Sequence, residues 1–159
     1  MHMSEAIIRG GQYNIGHICT RLQCDRGLAE KTAMRWVGAH GESASYSFGD
    51  LERESSRAAN LLHGLGFSAG DVFFVFLPKS PEVFFAFLGS LKLQLITGTL
   101  FSNFGEEALL DRLADAGARG ILTRRSYLKK LLRIRDQLPA LKYILLVDAE
   151  EEKTRPPIF

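Results

Sequence analysis

The stretch Gly70 to Phe104, GDVFFVFLPKSPEVFFAFLGSLKLQLITGTLFSNF, decides how the rest of the chain must fold. Asp71 to Leu77 is a near-continuous run of Val, Phe and Leu, the pattern of a strand covered on both faces rather than of one that faces water. The turn Pro78-Lys79-Ser80-Pro81 follows. Pro81 stands where a helix accepts proline, at its first position, with Ser80 as the N-cap and Glu82 beside the positive end of the helix dipole. An apolar helix, a second strand and a polar-aromatic loop complete the unit.

Toward the C-terminus the order stays regular. The pattern predicts a strand over 71–77, a helix over 81–92, a strand over 95–100, a helix over 106–116, a strand over 119–123, a helix over 126–138 and a strand over 143–147. Gly117 and Pro139 mark two of the helix ends. Strands alternating with helices of this length imply right-handed βαβ units and a parallel sheet. After Asp148 the sequence AEEEKTRPPIF turns acidic and then proline-rich, so 149–159 reads as a linker or truncation point.

Toward the N-terminus, Asn14 to Asp25 begins with a capping residue and carries Ile15, Ile18, Cys19 and Leu22 at helical spacing, which predicts a short amphipathic helix. Thr32 to Val37 and Ala44 to Tyr46, joined by the loop Gly38 to Ser43, predict a small hairpin. Ser47-Phe48-Gly49-Asp50 resembles a capping box flanked by Tyr46 and Leu51. The helix that follows runs to Leu65 with Leu51, Ala58, Leu61, Leu62 and Leu65 as its buried stripe, and Gly66 ends it. The expected fold is therefore α/β: a parallel βα core of about four strands with flanking helices, preceded by a helix and a small hairpin. Residues 1–13 read as a disordered or tag-like terminus and 14–148 as one folded unit.

Composition bounds the function. With 46% hydrophobic residues the chain can bury a core, and a net charge of +2 gives no broad field for nucleic acid or an anionic membrane, so neither is an expected partner. Cys19 and Cys24 are spaced C-x4-C without the second pair that a zinc site needs, so reduced thiols and no metal site are expected. Met1 to Tyr13 has no apolar signal core, and no uncharged apolar run reaches membrane-span length; the expected compartment is the cytoplasm.

No catalytic residue can be assigned. Ser80 and Ser90 lack the G-x-S-x-G elbow, the histidines His2, His17, His40 and His63 are scattered, and no Walker-type phosphate loop occurs. Gly64, Gly66 and Gly70 follow a helix and precede a strand, the reverse of what phosphate capture requires. Two local features remain. The loop Thr97 to Gly105 leaves a strand's C-terminal end, where ligands collect in open parallel sheets, although Phe101 and Phe104 equally suit a connection that fills core space. Arg119 to Arg135 holds seven basic residues and no acidic one, which fits either a solvated helix face or a site for an anionic ligand.

Taken together, the residues resemble the start of the large domain of acyl-CoA synthetases in the adenylate-forming (AMP-forming) superfamily, most closely acetyl-CoA synthetases. That family runs Tyr-Thr-Tyr before a helix, Gly-Asp-Arg-Val before a strand, Pro-x-x-Pro-Glu into a helix, and an aromatic loop before Glu-Ala. The corresponding stretches are Tyr46-Ser47-Phe48, Gly70-Asp71-Val72, Pro78-Lys79-Ser80-Pro81-Glu82 and Phe101-Ser102-Asn103-Phe104-Gly105-Glu106. The resemblance covers Asn14 to Asp148 and rests on many weak signals in the right order.

The resemblance implies an enzyme that activates a small-molecule carboxylate with ATP and Mg2+ to an acyl-adenylate and then transfers the acyl group to CoA. The family's phosphate loop, adenine motif, ribose-binding Asp and catalytic Lys match no position of this sequence. The resemblance thus implies the N-terminal portion of such an enzyme, inactive by itself, with the rest of the synthetase as partner and exposed apolar surface that favours self-association. It implies possible CoA contacts at Phe101, Ser102 and Asn103, where the family usually has Phe-Gly-Gly, and at Arg124, Arg125, Lys129 or Lys130, where family arginines meet the 3'-phosphate. Ser102 and Asn103 depart from the glycines. The alternative is a stand-alone, non-catalytic α/β module that binds CoA or a partner protein.

Overall fold

The computed structural model describes residues 13–148. A short helix α1 (Ile15–Cys19) leads into a hairpin of β1 (Thr32–Val37) and β2 (Ser43–Ser47), and then into the long helix α2 (Phe48–Gly64). From there strands and helices alternate: β3 (Val72–Val75), α3 (Pro81–Lys92), β4 (Ile96–Thr99), α4 (Glu106–Asp115), β5 (Gly120–Thr123), α5 (Arg125–Ile134) and β6 (Tyr143–Leu146). The last four strands form one parallel sheet in the order β4-β3-β5-β6, and β1 pairs antiparallel with β2. The expected α/β class, strand number and hairpin are all present. What was expected of residues 1–12 and 149–159 lies outside the described residues.

The sheet order explains why 71–77 reads as apolar throughout. The chain steps from β3 outward to β4, then crosses back over β3 to β5 and on to β6, and right-handed crossovers put the helices of these two directions on opposite faces. Phe73 and Val75 accordingly point into one core with Leu62, Ala86 and Leu95. Val72, Phe74 and Phe76 point into the other, with Leu109, Leu113, Leu131 and Ile134 of α4 and α5. Among the described residues no helix is long and apolar enough to cross a membrane.

Capping follows the sequence closely at α2. Ser47 Oγ accepts from Asp50 N at 3.1 Å and Asp50 Oδ2 accepts from Ser47 N at 2.9 Å, a reciprocal capping box. At the other end Gly66 adopts φ 83°, and the amides of Gly66 and Phe67 donate to His63 O and Leu62 O. At α3, Pro81 occupies the first turn and Ser80 the cap position, but the Ser80 side chain makes no capping bond.

Two expectations about helix faces fail, both for the same reason. The stripe predicted for α2 is rotated: Leu51, Ser55, Ala59 and Leu62 are buried, whereas Leu61 is 56% exposed. The uninterrupted helix predicted over Asn14 to Asp25 is instead five residues long, broken at Thr20 (φ −124°, ψ −86°) and continued by an irregular turn in which Gly27 takes φ 80°. Its buried positions are Gly16 and Thr20, while Ile15 and Cys19 are exposed. Small residues won because the helices approach backbone to backbone. A Cβ on Gly89 of α3 would stand 2.6 Å from Ser55 O, and one on Gly16 would stand 2.6 Å from Leu88 O. Hydrophobicity alone does not report such a contact.

Polar groups then fasten this layer. Lys92 Nζ donates to Glu52 Oε2 at 2.7 Å and to Ser56 Oγ at 2.9 Å, and both charged side chains are largely buried. Asn14 Nδ2 donates to Leu91 O at 2.8 Å, and Asn14 Oδ1 accepts from His17 N.

Candidate functional site

In an open parallel sheet, ligands collect beyond the C-terminal ends of the strands, where consecutive connections diverge to opposite sides. Here that edge carries the loops after β3, β4 and β5. Phe101, Ser102, Asn103, Arg124, Arg125, Lys129 and Lys130 belong to this side of the fold, and the structure divides them into two groups.

The first group is the loop after β4. Phe101 to Phe104 forms a turn closed by Phe104 N donating to Phe101 O at 2.9 Å. The Phe104 ring packs against the α4–α5 core and meets Phe101 edge-on, with centroids 5.9 Å apart; Phe101 itself is 60% exposed. Arg112 of α4 lies over the Phe104 ring at 4.3 Å. Lys130 of α5 reaches the loop from the other side and donates to Phe104 O at 3.0 Å. Ser102 is half-buried and Asn103 exposed, and neither side chain makes a hydrogen bond among the described residues.

The second group is the start of α5. Arg124 is its N-cap residue, and the cap is supplied from a distance: Asp148 Oδ1 accepts from Arg125 N at 2.7 Å, and Asp148 Oδ2 lies 3.6 Å from Arg124 Nε. A carboxylate at the positive end of a helix is favourable, so this amide already has an anion. The register explains the arrangement, because β5 and β6 pair Thr123 with Leu146 and Val147 N donates to Thr123 O. The side chains of Arg125 and Lys129 are exposed and make no ion pair among the described residues.

Between this second group and the hairpin is a cleft of about 330 Å3, with Trp36 and Tyr46 on one wall, Leu77 and Pro78 behind, and Arg124 and Asp148 opposite. The hairpin is fastened over it by Trp36 Nε1, which donates to Lys79 O at 2.9 Å. Arg124 thus turns toward the cleft, whereas Lys130 turns toward the loop.

Sequence reasoning missed three residues that shape this edge. Asp148 supplies the cap, Arg112 stacks on Phe104, and Glu106 pairs with Arg133 at 2.7 Å. Each acts across elements far apart in sequence, and no local motif announces it. The basic run reads as neither of its two alternatives alone: Arg119 is tied to Asp71 at 2.9 Å at the opposite edge of the sheet, Lys130 and Arg133 hold the β4–α4 connection, and Arg125 and Lys129 remain open. Among the described residues no cluster of His, Cys, Asp or Glu could hold a metal ion.

Comparison with known proteins identifies the family and the fold. The sequence pattern of the AMP-binding enzymes matches residues 22–158. The chain belongs to the AMP-binding enzyme family. It is 38% identical over 143 residues to acetyl-coenzyme A synthetase of Bacillus subtilis, covering 89% of this chain and 24% of that protein. It is 32% identical over 121 residues to 3-hydroxypropionyl-coenzyme A synthetase of Sulfurisphaera tokodaii, covering 76% of this chain and 18% of the relative. Its fold superposes on the crystal structure of Brucella canis acyl-CoA synthetase with a TM-score of 0.77 and 26% identity, covering 98% of this chain and 28% of that one. The chain of the family member described here therefore spans between 18% and 28% of the length of these relatives. That the match runs through the parallel sheet agrees with the family resemblance of Tyr46 to Glu106.

Proposed function

We propose that this chain is the N-terminal portion of an ATP-dependent, cytoplasmic acetyl- or acyl-CoA synthetase, which forms an acyl-adenylate and pyrophosphate from a carboxylate and ATP and then acyl-CoA and AMP. The carrying observation is the match over residues 22–158 to a family whose curated relatives named above extend far beyond the matched part. No described residue is assigned to ATP or Mg2+, and no step is derived through them. The isolated 159-residue chain is read as catalytically incomplete, because activation of a carboxylate needs preorganised donors around the phosphates.

Its own contribution is a CoA-facing edge. The residues fit such a group in kind: Phe101 offers an exposed ring for stacking, and Arg125 and Lys129 offer uncommitted cations for phosphate. Arg124 is half-committed to Asp148, and Ser102 and Asn103 add polar side chains where the family has glycine. CoA supplies the thiol that accepts the acyl group; this chain's residues would only hold its nucleotide end.

The rest of the synthetase is the expected partner. Its absence would leave apolar surface such as Leu61, Leu132 and Val147 open and promote self-association. A second reading, a stand-alone module that binds CoA or a protein partner, is favoured by the two closed hydrophobic cores within residues 13–148. Carboxylate-dependent ATP–pyrophosphate exchange by the full-length parent but not by residues 1–159 is the expected result. Exchange by the 159-residue chain alone would overturn the incompleteness, and a monomeric, cooperatively folding chain that titrates with CoA would favour the module.

A further inference from the structure

The contacts of Lys130 set it apart from the other cations of α5. Its ammonium donates to the carbonyl of Phe104, 26 residues away in sequence, and lies 5.6 Å from the Tyr127 ring centroid and 5.9 Å from that of Phe76. Phe76 is wholly buried at the end of β3, and Leu131, the next residue along α5, is wholly buried too. The ammonium thereby lies at the margin of the core, beside the Phe76 and Tyr127 rings. From it a chain of contacts runs outward: Lys130 to the Phe104 carbonyl, the Phe104 ring under Arg112, and the Phe101 ring edge-on to Phe104. The loop's other polar side chains, Ser102 and Asn103, add no hydrogen bond among the described residues, so one cationic donor carries much of its placement.

We propose that Lys130 is a positioning residue, which presents the Phe101–Phe104 turn to the nucleotide end of CoA, and is not itself a phosphate ligand. This rests on the CoA-facing reading of that edge. The Lys130 ammonium spends one of its three donors on a carbonyl and has two rings beside it, so it is half-buried and held toward the loop, whereas Arg125 and Lys129, on the same helix, are exposed and uncommitted among the described residues. Removing Lys130 leaves every exposed cation in place but frees the turn.

The test uses the 159-residue chain with CoA and with dephospho-CoA, which lacks the 3'-phosphate. Lys130→Met is expected to weaken both by the same factor, about tenfold, the weight of one charge-assisted hydrogen bond. In the ligand-free protein it is expected to shift the amides of Phe104 and Gly105 and to deprotect that of Phe104, which donates to Phe101 O. Lys130→Arg, which keeps a donor, should recover most of the loss. A loss for CoA alone would make Lys130 a phosphate ligand and overturn the proposal, as would unchanged affinity for both. Should the wild type bind neither compound, the CoA reading falls, and the ligand-free amides still decide the positioning role: if Lys130→Met leaves them unmoved while the thermal melt shows a folded chain, Lys130 does not hold the turn.

Discussion

The two helix layers of this small sheet are built on opposite principles. On one face, α1, α2 and α3 meet through backbone: Gly16 and Gly89 lie against carbonyl oxygens, with Ser55 and Ala59 between. On the other, α4 and α5 meet the sheet through bulky side chains, Leu109, Leu113, Leu131 and Ile134. Where backbones touch, the polar residues are consumed in fastening the contact, as Lys92, Glu52 and Ser56 are. Where side chains keep the helices apart, the outer face of α5 stays available for charge. The comparison teaches that the layer with the less demanding packing is the one that leaves the cations Arg125 and Lys129 exposed and without an ion pair among the described residues.

The strongest way to break that contrast is to add volume where the backbones touch and to change shape at constant volume in the other layer. Gly89→Val should destabilise by about 3 kcal/mol or more, because neither the Ser55 carbonyl at 2.6 Å nor Ala58 Cβ at 2.8 Å can move without shifting α2. Leu131→Met, a near-isosteric change at a fully buried site of the other layer, should cost about 1 kcal/mol or less. Urea midpoints at equal m-value measure both. Equal losses would remove the distinction between the layers.

A smaller effect concerns the buried pair. Lys92→Met should cost about 2 kcal/mol by leaving Glu52 without its cation. Burial pushes the Glu52 carboxyl up, but the bond and charge of Lys92 and the bond from Ser56 outweigh that, and the group ends below its ordinary value of 4.5. The unfolded state therefore binds this proton more readily. The pair's stabilisation is present above pH about 4.5 and is lost as the pH falls through the lower folded value. As the pH falls below about 4.5 the wild type should lose more stability than Glu52→Gln, and parallel profiles would remove the pair from the account.

Much of the fold was legible in the sequence because its signals were local. The Ser47–Asp50 box, Pro81, Gly66 and Gly117 each encode one turn of backbone, and the structure shows each of them. The helix faces misread at Leu61 and at Ile15 were not, since apolar periodicity cannot see that a glycine on another helix admits the backbone. The candidate site was half legible. Phe101 and the cations at the start of α5 fall together at the C-terminal edge of the sheet, as expected, but how Lys130, Arg133 and Arg124 are shared out depends on Phe104, Glu106 and Asp148, which only the strand order brings near. Gln94 shows the same limit in small: it ends α3 in the left-handed region at φ 59°, where sequence gives no warning. Gln94→Gly should stabilise the chain by about 1 kcal/mol, read as a raised thermal midpoint.

The smallest stability effect carries the sharpest functional contrast. Arg125 and Lys129 lie on the layer whose packing leaves them exposed, and neither forms an ion pair among the described residues. Replacing both with Ala should change stability by no more than about 0.5 kcal/mol, as expected for exposed side chains that make no ion pair among the described residues. The Arg125 amide keeps its bond to Asp148 in either case, since that contact is made by backbone. Binding should respond differently. If these are the cations that meet phosphate, the double variant loses the preference for CoA over dephospho-CoA, and its affinity becomes less sensitive to salt because two charges no longer contribute. A double variant that melts well below the wild type would show that these cations serve packing on this face too, and the division of labour between the layers would not hold.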